Sequence, residues 1–217
     1  MNNSDPKESE TFNDFLRRVF KRWIDPVVGV LDKLGFHANT ITAAGFLGNL
    51  IAGLLVAKGH LFWGAITLIV LAPLDALDGA LARLRNECSA YGSFVDSFVD
   101  RYSEIVLYGG LLFYFMGMDD WQGATLIFFA AAGSIMVSYA RAKAESVHFE
   151  AKKGLLARVE RYLVLIPGLL LGYPRISLWI LAVLSNFTAL QRFWQVRSQA
   201  IQKKKQEKMG QKEEDDG

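Results

Sequence analysis

Apolar residues run through this chain in long blocks separated by short polar stretches. Blocks near the roughly 20-residue spanning length of a bilayer fall at about 41–58, 61–82, 91–117, 122–141, 159–174 and 175–191. They predict an all-α integral membrane bundle of six transmembrane helices covering 37–200. Only Tyr173, Pro174 and Arg175 separate the last two blocks, so these form a tight hairpin. Ahead of the bundle, FLRRVFKRWIDPVVGVLDKLG alternates apolar and basic residues at near-helical spacing. This pattern predicts an N-terminal interfacial amphipathic helix over 11–36, interrupted near Pro26; a surface helix packed on the bundle accounts for it equally. Residues 1–10 read as a disordered N-terminus and 201–217 as a charged disordered tail, since neither holds enough apolar surface to build a core. The N-terminal residues show no charged-then-apolar pattern, so the first span is expected to serve as the insertion signal.

Composition supports the membrane reading. Of 217 residues, 52% are hydrophobic, which a soluble domain would struggle to bury. Basic residues then set the orientation, because Lys and Arg collect on the cytoplasmic side of spans. Arg17, Arg18, Lys21 and Arg22 precede the first span, and Arg83 and Arg85 follow the second. Arg141, Lys143, Lys152, Lys153, Arg158 and Arg161 lie between the fourth and fifth, and Arg192, Arg197 and Lys203 to Lys205 follow the sixth. The alternate loops hold Lys58 and His60, Asp119 and Asp120, and Arg175. Both termini are therefore expected in the cytoplasm, with the protein multi-pass in the plasma membrane. The net charge of +2 hides a basic face suited to anionic headgroups or a phosphorylated substrate, and it gives no reason to expect nucleic acid. A lone cysteine, Cys88, excludes an intrachain disulfide. Small residues in AAGFLGNLIAG, YGGLL and FFAAAGS permit close helix packing, within the bundle or between subunits.

Four aspartates interrupt the apolar pattern: Asp75 and Asp78 in LAPLDALDGALARLR, then Asp96 and Asp100 in YGSFVDSFVDRYSE. Carboxylates in an apolar setting persist when paired or metal-bound. Residues three or four apart share a helix face, so the two pairs can face each other as an oxygen cage. Such a cage suits Mg²⁺, and two ions about 3.5–4 Å apart can clamp the attacking and leaving oxygens of a phosphoryl displacement. Asp75, Asp78 and Asp96 are best placed as metal ligands. Asp100, one turn beyond Asp96, can both approach the metals and take a proton.

Read in full, the stretch is Asp75-x2-Asp78-Gly79-x2-Ala82-Arg83-x8-Gly92-x3-Asp96-x3-Asp100. It resembles the signature of the CDP-alcohol phosphotransferases, six-helix membrane enzymes that join a CDP-linked alcohol to a second alcohol and release CMP; every fixed position is filled. The resemblance implies two Mg²⁺ ions, with Mn²⁺ as a substitute, and Asp100 as general base towards the acceptor hydroxyl. It implies that Gly79 and Ala82 leave room for the nucleotide, that Arg83 contacts the CDP moiety, and that Ser89 takes part in nucleotide binding. Arg83 and Arg85 also fit cytoplasmic anchoring of the second helix. Upstream, HANTITAAG resembles the family's Pro-Asn-x-x-Thr segment, with Ala38 in place of proline. By that likeness Asn39 and Thr40 line the cytidine pocket; they equally suit an N-terminal cap of the first span.

The segments SYARAKAE and KKGLLARVERY resemble the branch that uses inositol phosphate, the phosphatidylinositol phosphate synthases and their archaeal relatives. In that branch Lys143, Arg161 and Arg192 match the basic positions that hold the acceptor phosphate, although positive-inside anchoring also accounts for such charges. Glu160 is expected to pair with a neighbouring arginine. The resemblance further implies CDP-diacylglycerol as lipid donor, membrane lipids as surroundings and a homodimer. Phosphatidylglycerophosphate synthesis is the nearest enzymatic competitor. A cation or proton transporter also keeps carboxylates in a bundle, but it does not need Gly79, Ala82 and Arg83 at fixed spacing.

Overall fold

A computed structural model describes residues 26–72, 74–151 and 154–215, without the side chains of 75, 76, 210 and 212–215. Every regular element among the described residues is an α-helix. These are α1 (26–33), α2 (Ala38–Ala57), α3 (Leu61–Leu71), α4 (Leu74–Leu84), α5 (Ala90–Met116), α6 (Trp121–Ser146), α7 (Arg158–Leu170) and α8 (Pro174–Asp215). The expected disordered N-terminus and the basic cluster from Arg17 to Arg22 lie outside the described residues.

Among the described residues, three helices are long and apolar enough to cross a membrane: α2, α6 and the first 36 residues of α8. The block expected as a single span over 61–82 is instead two 11-residue helices, α3 and α4. The sequence carries Pro73 at the junction, and proline both lacks an amide donor and disfavours helix in the residue before it. At about 1.5 Å per residue, the 13-residue α7 is shorter than the block expected at 159–174. Leu171, Gly172 (φ +74°) and Tyr173 then make the tight turn into α8. A second departure is at the C-terminus, where α8 continues as helix through the residues read as a disordered tail. Lys, Gln and Glu are good helix formers, and a growing helix extends cheaply once nucleated.

Part of the expected interfacial helix is described as α1, and it packs on the bundle. Val28 and Leu31 meet Ile41 of α2 and Leu77 and Leu81 of α4 in a small apolar cluster. Arg85, at the end of α4, fixes the junction: its Nε lies 2.6 Å from Asp32 Oδ1, and its guanidinium donates to the Asp32 carbonyl. The main core lies among α2, α3, α5, α6, α7 and α8, with Ala52, Val56, Leu68, Leu111, Leu169, Leu178 and Leu181 inside. Leu47, Phe62, Val70, Phe113, Phe128, Trp179 and Val183 face outward, the apolar exterior a membrane protein needs.

α2 is the hub on which α3, α4 and α5 pack, while α6 runs along α8. Its seam with α5 is backbone on backbone, for a Cβ added at Gly110 would overlap the carbonyl oxygen of Gly53. Between α5 and α6, the Asp120 carboxylate receives the Gly123 amide at the start of α6 and the guanidinium of Arg175 on α8.

Candidate active site

α4 and α5 both rest on α2, and this arrangement positions the motif. Asp78 is 5% exposed, and its carboxylate accepts from Thr42 Oγ1 of α2 at 2.7 Å and from the Gly79 amide at 2.5 Å. Asp75 lies one turn earlier on α4; its side chain is outside the described residues. Arg83 is exposed one turn beyond Gly79 and folds back along the helix, so that a Cβ at Gly79 would sit 3.4 Å from its Nη1. Ala82 is half-buried between them.

α5 is started by Ser89, whose hydroxyl accepts from the Gly92 amide at 2.9 Å. This bond explains the glycine of the motif locally, since a Cβ at position 92 would approach the Ser89 oxygen to 3.1 Å. Asp96 and Asp100 follow on α5, both half-buried. Asp100 lies 2.7 Å from Nη1 of Arg158 at the start of α7, and Arg158 in turn lies over the Tyr162 ring. Tyr162 donates to Asn49 of α2 at 3.1 Å, so α7 is tied to both α5 and α2 beside the aspartates.

No three His, Cys, Asp or Glu side chains converge on one point among the described residues, which leave out the Asp75 carboxylate. The donor set nonetheless has the chemistry that hard divalent cations require, four carboxylates and no softer group. Asp78 is also held by hydroxyl and amide donors, the outer support that ligating carboxylates usually have.

Asn39 and Thr40 occupy the exposed first turn of α2, and neither caps it: the cap position is His37, which makes no side-chain cap bond. The residue of that segment that reaches the motif is Thr42, the threonine of the Asn39-x-x-Thr42 pattern. Glu104, four residues after Asp100, was equally legible from spacing and was missed.

Arg161 and Arg192 are both buried, at 3% and 2% exposure. Arg161 pairs across helices with Glu104: its Nε and Nη2 lie 3.1 Å and 2.5 Å from Glu104 Oε1, and its Nη1 donates to the Leu156 carbonyl at 3.1 Å. Glu160 Oε2 is buried without a hydrogen-bond partner among the described residues. Arg192 donates from Nη1 to the Val137 carbonyl at 2.5 Å, and its buried Nε has no such partner. The loop before α7 spans both arginines. A Cβ at Gly154 would lie 3.4 Å from Arg192 Nε, the Leu156 amide donates to Thr188 one turn before Arg192, and the Leu156 carbonyl meets Arg161. Lys143 is exposed in the last turn of α6, which packs on α8.

Known proteins resemble this chain over most of its length. The family model described as CDP-alcohol phosphatidyltransferase matches residues 36–204. The chain is 35% identical over 200 residues to an archaetidylinositol phosphate synthase of Methanothermobacter thermautotrophicus, covering 88% of this chain and 98% of that one. It is 32% identical to a phosphatidylinositol phosphate synthase of Mycobacteroides abscessus, over 84% and 87% of the two chains. Among solved structures, the Mycobacterium tuberculosis phosphatidylinositol phosphate synthase with CDP-DAG bound superposes with a TM-score of 0.75 at 27% identity, over 81% of this chain and 94% of that one. The same enzyme in complex with manganese and citrate gives 0.74 at 26% identity, over 80% and 88%. With its eight-residue signature folded onto α4 and α5, this chain belongs to the CDP-alcohol phosphatidyltransferase family, a family of membrane enzymes.

Proposed function

We propose that this enzyme transfers the phosphatidyl group of CDP-diacylglycerol, or the corresponding group of a CDP-linked archaeal lipid, to inositol phosphate, giving phosphatidylinositol phosphate and CMP. The observation that carries the acceptor assignment is the buried Arg192 Nε without a hydrogen-bond partner among the described residues, linked through the loop at Gly154 and Leu156 to a second buried arginine, Arg161. A buried donor left unpaired costs about 1–3 kcal/mol, and an incoming phosphate oxygen removes that cost. Relatives named as inositol phosphate-type synthases in archaea and bacteria support the same acceptor.

In this reading Asp75, Asp78, Asp96 and Asp100 hold two divalent ions, Mg²⁺ with Mn²⁺ as a substitute. When bound, the ions supply charge neutralisation at the diphosphate and a lowered pKa for the acceptor hydroxyl. Asp100 takes the proton of that hydroxyl as general base. The freed oxygen attacks the lipid-bearing phosphorus, the bond to the bridging oxygen breaks, and CMP leaves. Gly79 and Ala82 give the nucleotide a flat helix face, Arg83 contacts its diphosphate, and Asn39, Thr40 and Ser89 contribute to the cytidine pocket. Arg161, Arg192 and Lys143 bind the acceptor phosphate. The bundle crosses the plasma membrane six times, with both termini and the active site on the cytoplasmic side, and works as a homodimer.

An acceptor panel tests the assignment. Purified protein, CDP-diacylglycerol and Mg²⁺ are offered inositol phosphate, glycerol 3-phosphate, serine or free inositol while CMP release is followed. Inositol phosphate should give the highest kcat/KM; preference for glycerol 3-phosphate would move the chain to the phosphatidylglycerophosphate branch.

A further inference from the structure

Asp96, Asp100 and Glu104 are spaced four residues apart and form one acidic stripe along α5. Across from it, Arg158 and Arg161 stand three residues apart on α7. The two stripes meet as a ladder with two rungs of different character. The Asp100–Arg158 rung is partly open, with side-chain exposures of 14% and 23%. The Glu104–Arg161 rung is closed, at 7% and 4%.

A guanidinium has five N–H donors. Glu104 Oε1 takes one from Nε and one from Nη2, and the Leu156 carbonyl takes one from Nη1. Two donors remain on the terminal nitrogens, and the Nε edge is fixed against α5. Removing the Oε1 acceptor leaves two buried N–H donors unpaired, and the guanidinium is then free to turn towards other acceptors. Supporting contacts of this kind fix ligand-binding groups and commonly change affinity by about 10–100-fold when lost.

From this geometry we infer that Glu104 is a positioning residue for the acceptor: it sets the orientation of the Arg161 guanidinium, and through the shared helix α5 it ties the acceptor phosphate site to the carboxylate that takes the proton. The helix spacing places Glu104 one turn from Asp100, so the acceptor is registered on the same element that carries its base. This inference rests on the assignment of Arg161 to the acceptor phosphate.

KM is measured separately for inositol phosphate and CDP-diacylglycerol in the full-length wild type and in Glu104→Ala, Glu104→Gln and Glu104→Asp. Glu104→Ala should raise the inositol phosphate KM by about 10-fold or more and leave the CDP-diacylglycerol KM within about 2-fold. Glu104→Gln keeps an oxygen at Oε1 for both N–H groups and should restore a near-wild-type KM. Should the alanine variant fail to fold, Glu104→Asp, which draws the carboxylate back by one methylene, should raise the inositol phosphate KM selectively. An unchanged acceptor KM in the folded alanine or aspartate variant, a parallel rise in both KM values, or a glutamine variant as impaired as alanine would overturn the inference. A wild type that prefers an unphosphorylated acceptor would instead overturn the functional assignment, and the panel shows this before any variant is made.

Discussion

Arg158 Nη1 lies 2.7 Å from Asp100 Oδ1, so the proposed general base is gripped by a cation on α7. Arg158→Ala is expected to leave the protein folded and to lower kcat by about 10-fold to 10²-fold, the scale of a misplaced reacting group. Asp100→Asn should cost more, about 10²–10⁴-fold, while CDP-diacylglycerol binding persists. Steady-state CMP release and a lipid-binding titration separate the two effects. If Arg158→Ala turned over at the wild-type rate, the contact would have no part in catalysis.

Thr42 donates to Asp78 at 2.7 Å, and this bond runs between α2 and α4 at a 5%-exposed carboxylate. Thr42→Val keeps the shape and removes the hydroxyl. Because such supporting bonds tune metal affinity by about 10–100-fold, the Mn²⁺ concentration needed for half-maximal binding should rise by that factor. Asp78→Asn, which removes a charged ligand, should weaken binding further. A manganese titration followed by electron paramagnetic resonance measures both without requiring turnover.

The backbone seam between Gly53 and Gly110 leaves no room for a methyl group. Gly110→Ala should destabilise the bundle by about 1–3 kcal/mol, the usual cost of overpacking. Thermal unfolding in detergent reads this directly. Gly109→Ala is the control, since a Cβ there has nothing within 4 Å among the described residues.

Asp120 is held below the ordinary carboxylate pKa, first by its bond from Arg175 and then by the Gly123 amide. A depressed carboxylate contributes stability above its unfolded value, about 3.9, and loses it as pH falls through the lower folded value. Wild type should therefore melt above Asp120→Asn at pH 7, and the difference should close below about pH 3.9. Melting curves recorded from pH 7 downwards check the sign.

The helices that carry the candidate site were legible in the sequence. The aspartate spacing located α4 and α5, because a carboxylate in an apolar run needs a compensating partner and periodicity says which residues share a face. Partners across helices were not legible. Arg161 was read only as an acceptor-phosphate ligand, yet it crosses to Glu104, 57 residues earlier, a choice made by packing rather than by local sequence. Thr42 was passed over for Asn39 and Thr40, since a cap and a site residue look alike in sequence. The break between α3 and α4 was hidden because hydropathy continues through Pro73. The helical end of α8 was hidden for the opposite reason: charged composition signals exposure, and exposure is compatible with helix when the helix is already nucleated.

The central claim is that two buried arginines recognise a phosphate on the acceptor. Its most direct test is the ratio of kcat/KM for inositol phosphate over free inositol, with CDP-diacylglycerol saturating, in wild type and in Arg192→Ala. Bonds to a charged group contribute about 1.5–3 kcal/mol each, so the wild-type ratio should be about 10²-fold or more, and Arg192→Ala should reduce it by at least about 10-fold. A wild-type ratio near one, or a ratio unchanged by Arg192→Ala, would contradict the account.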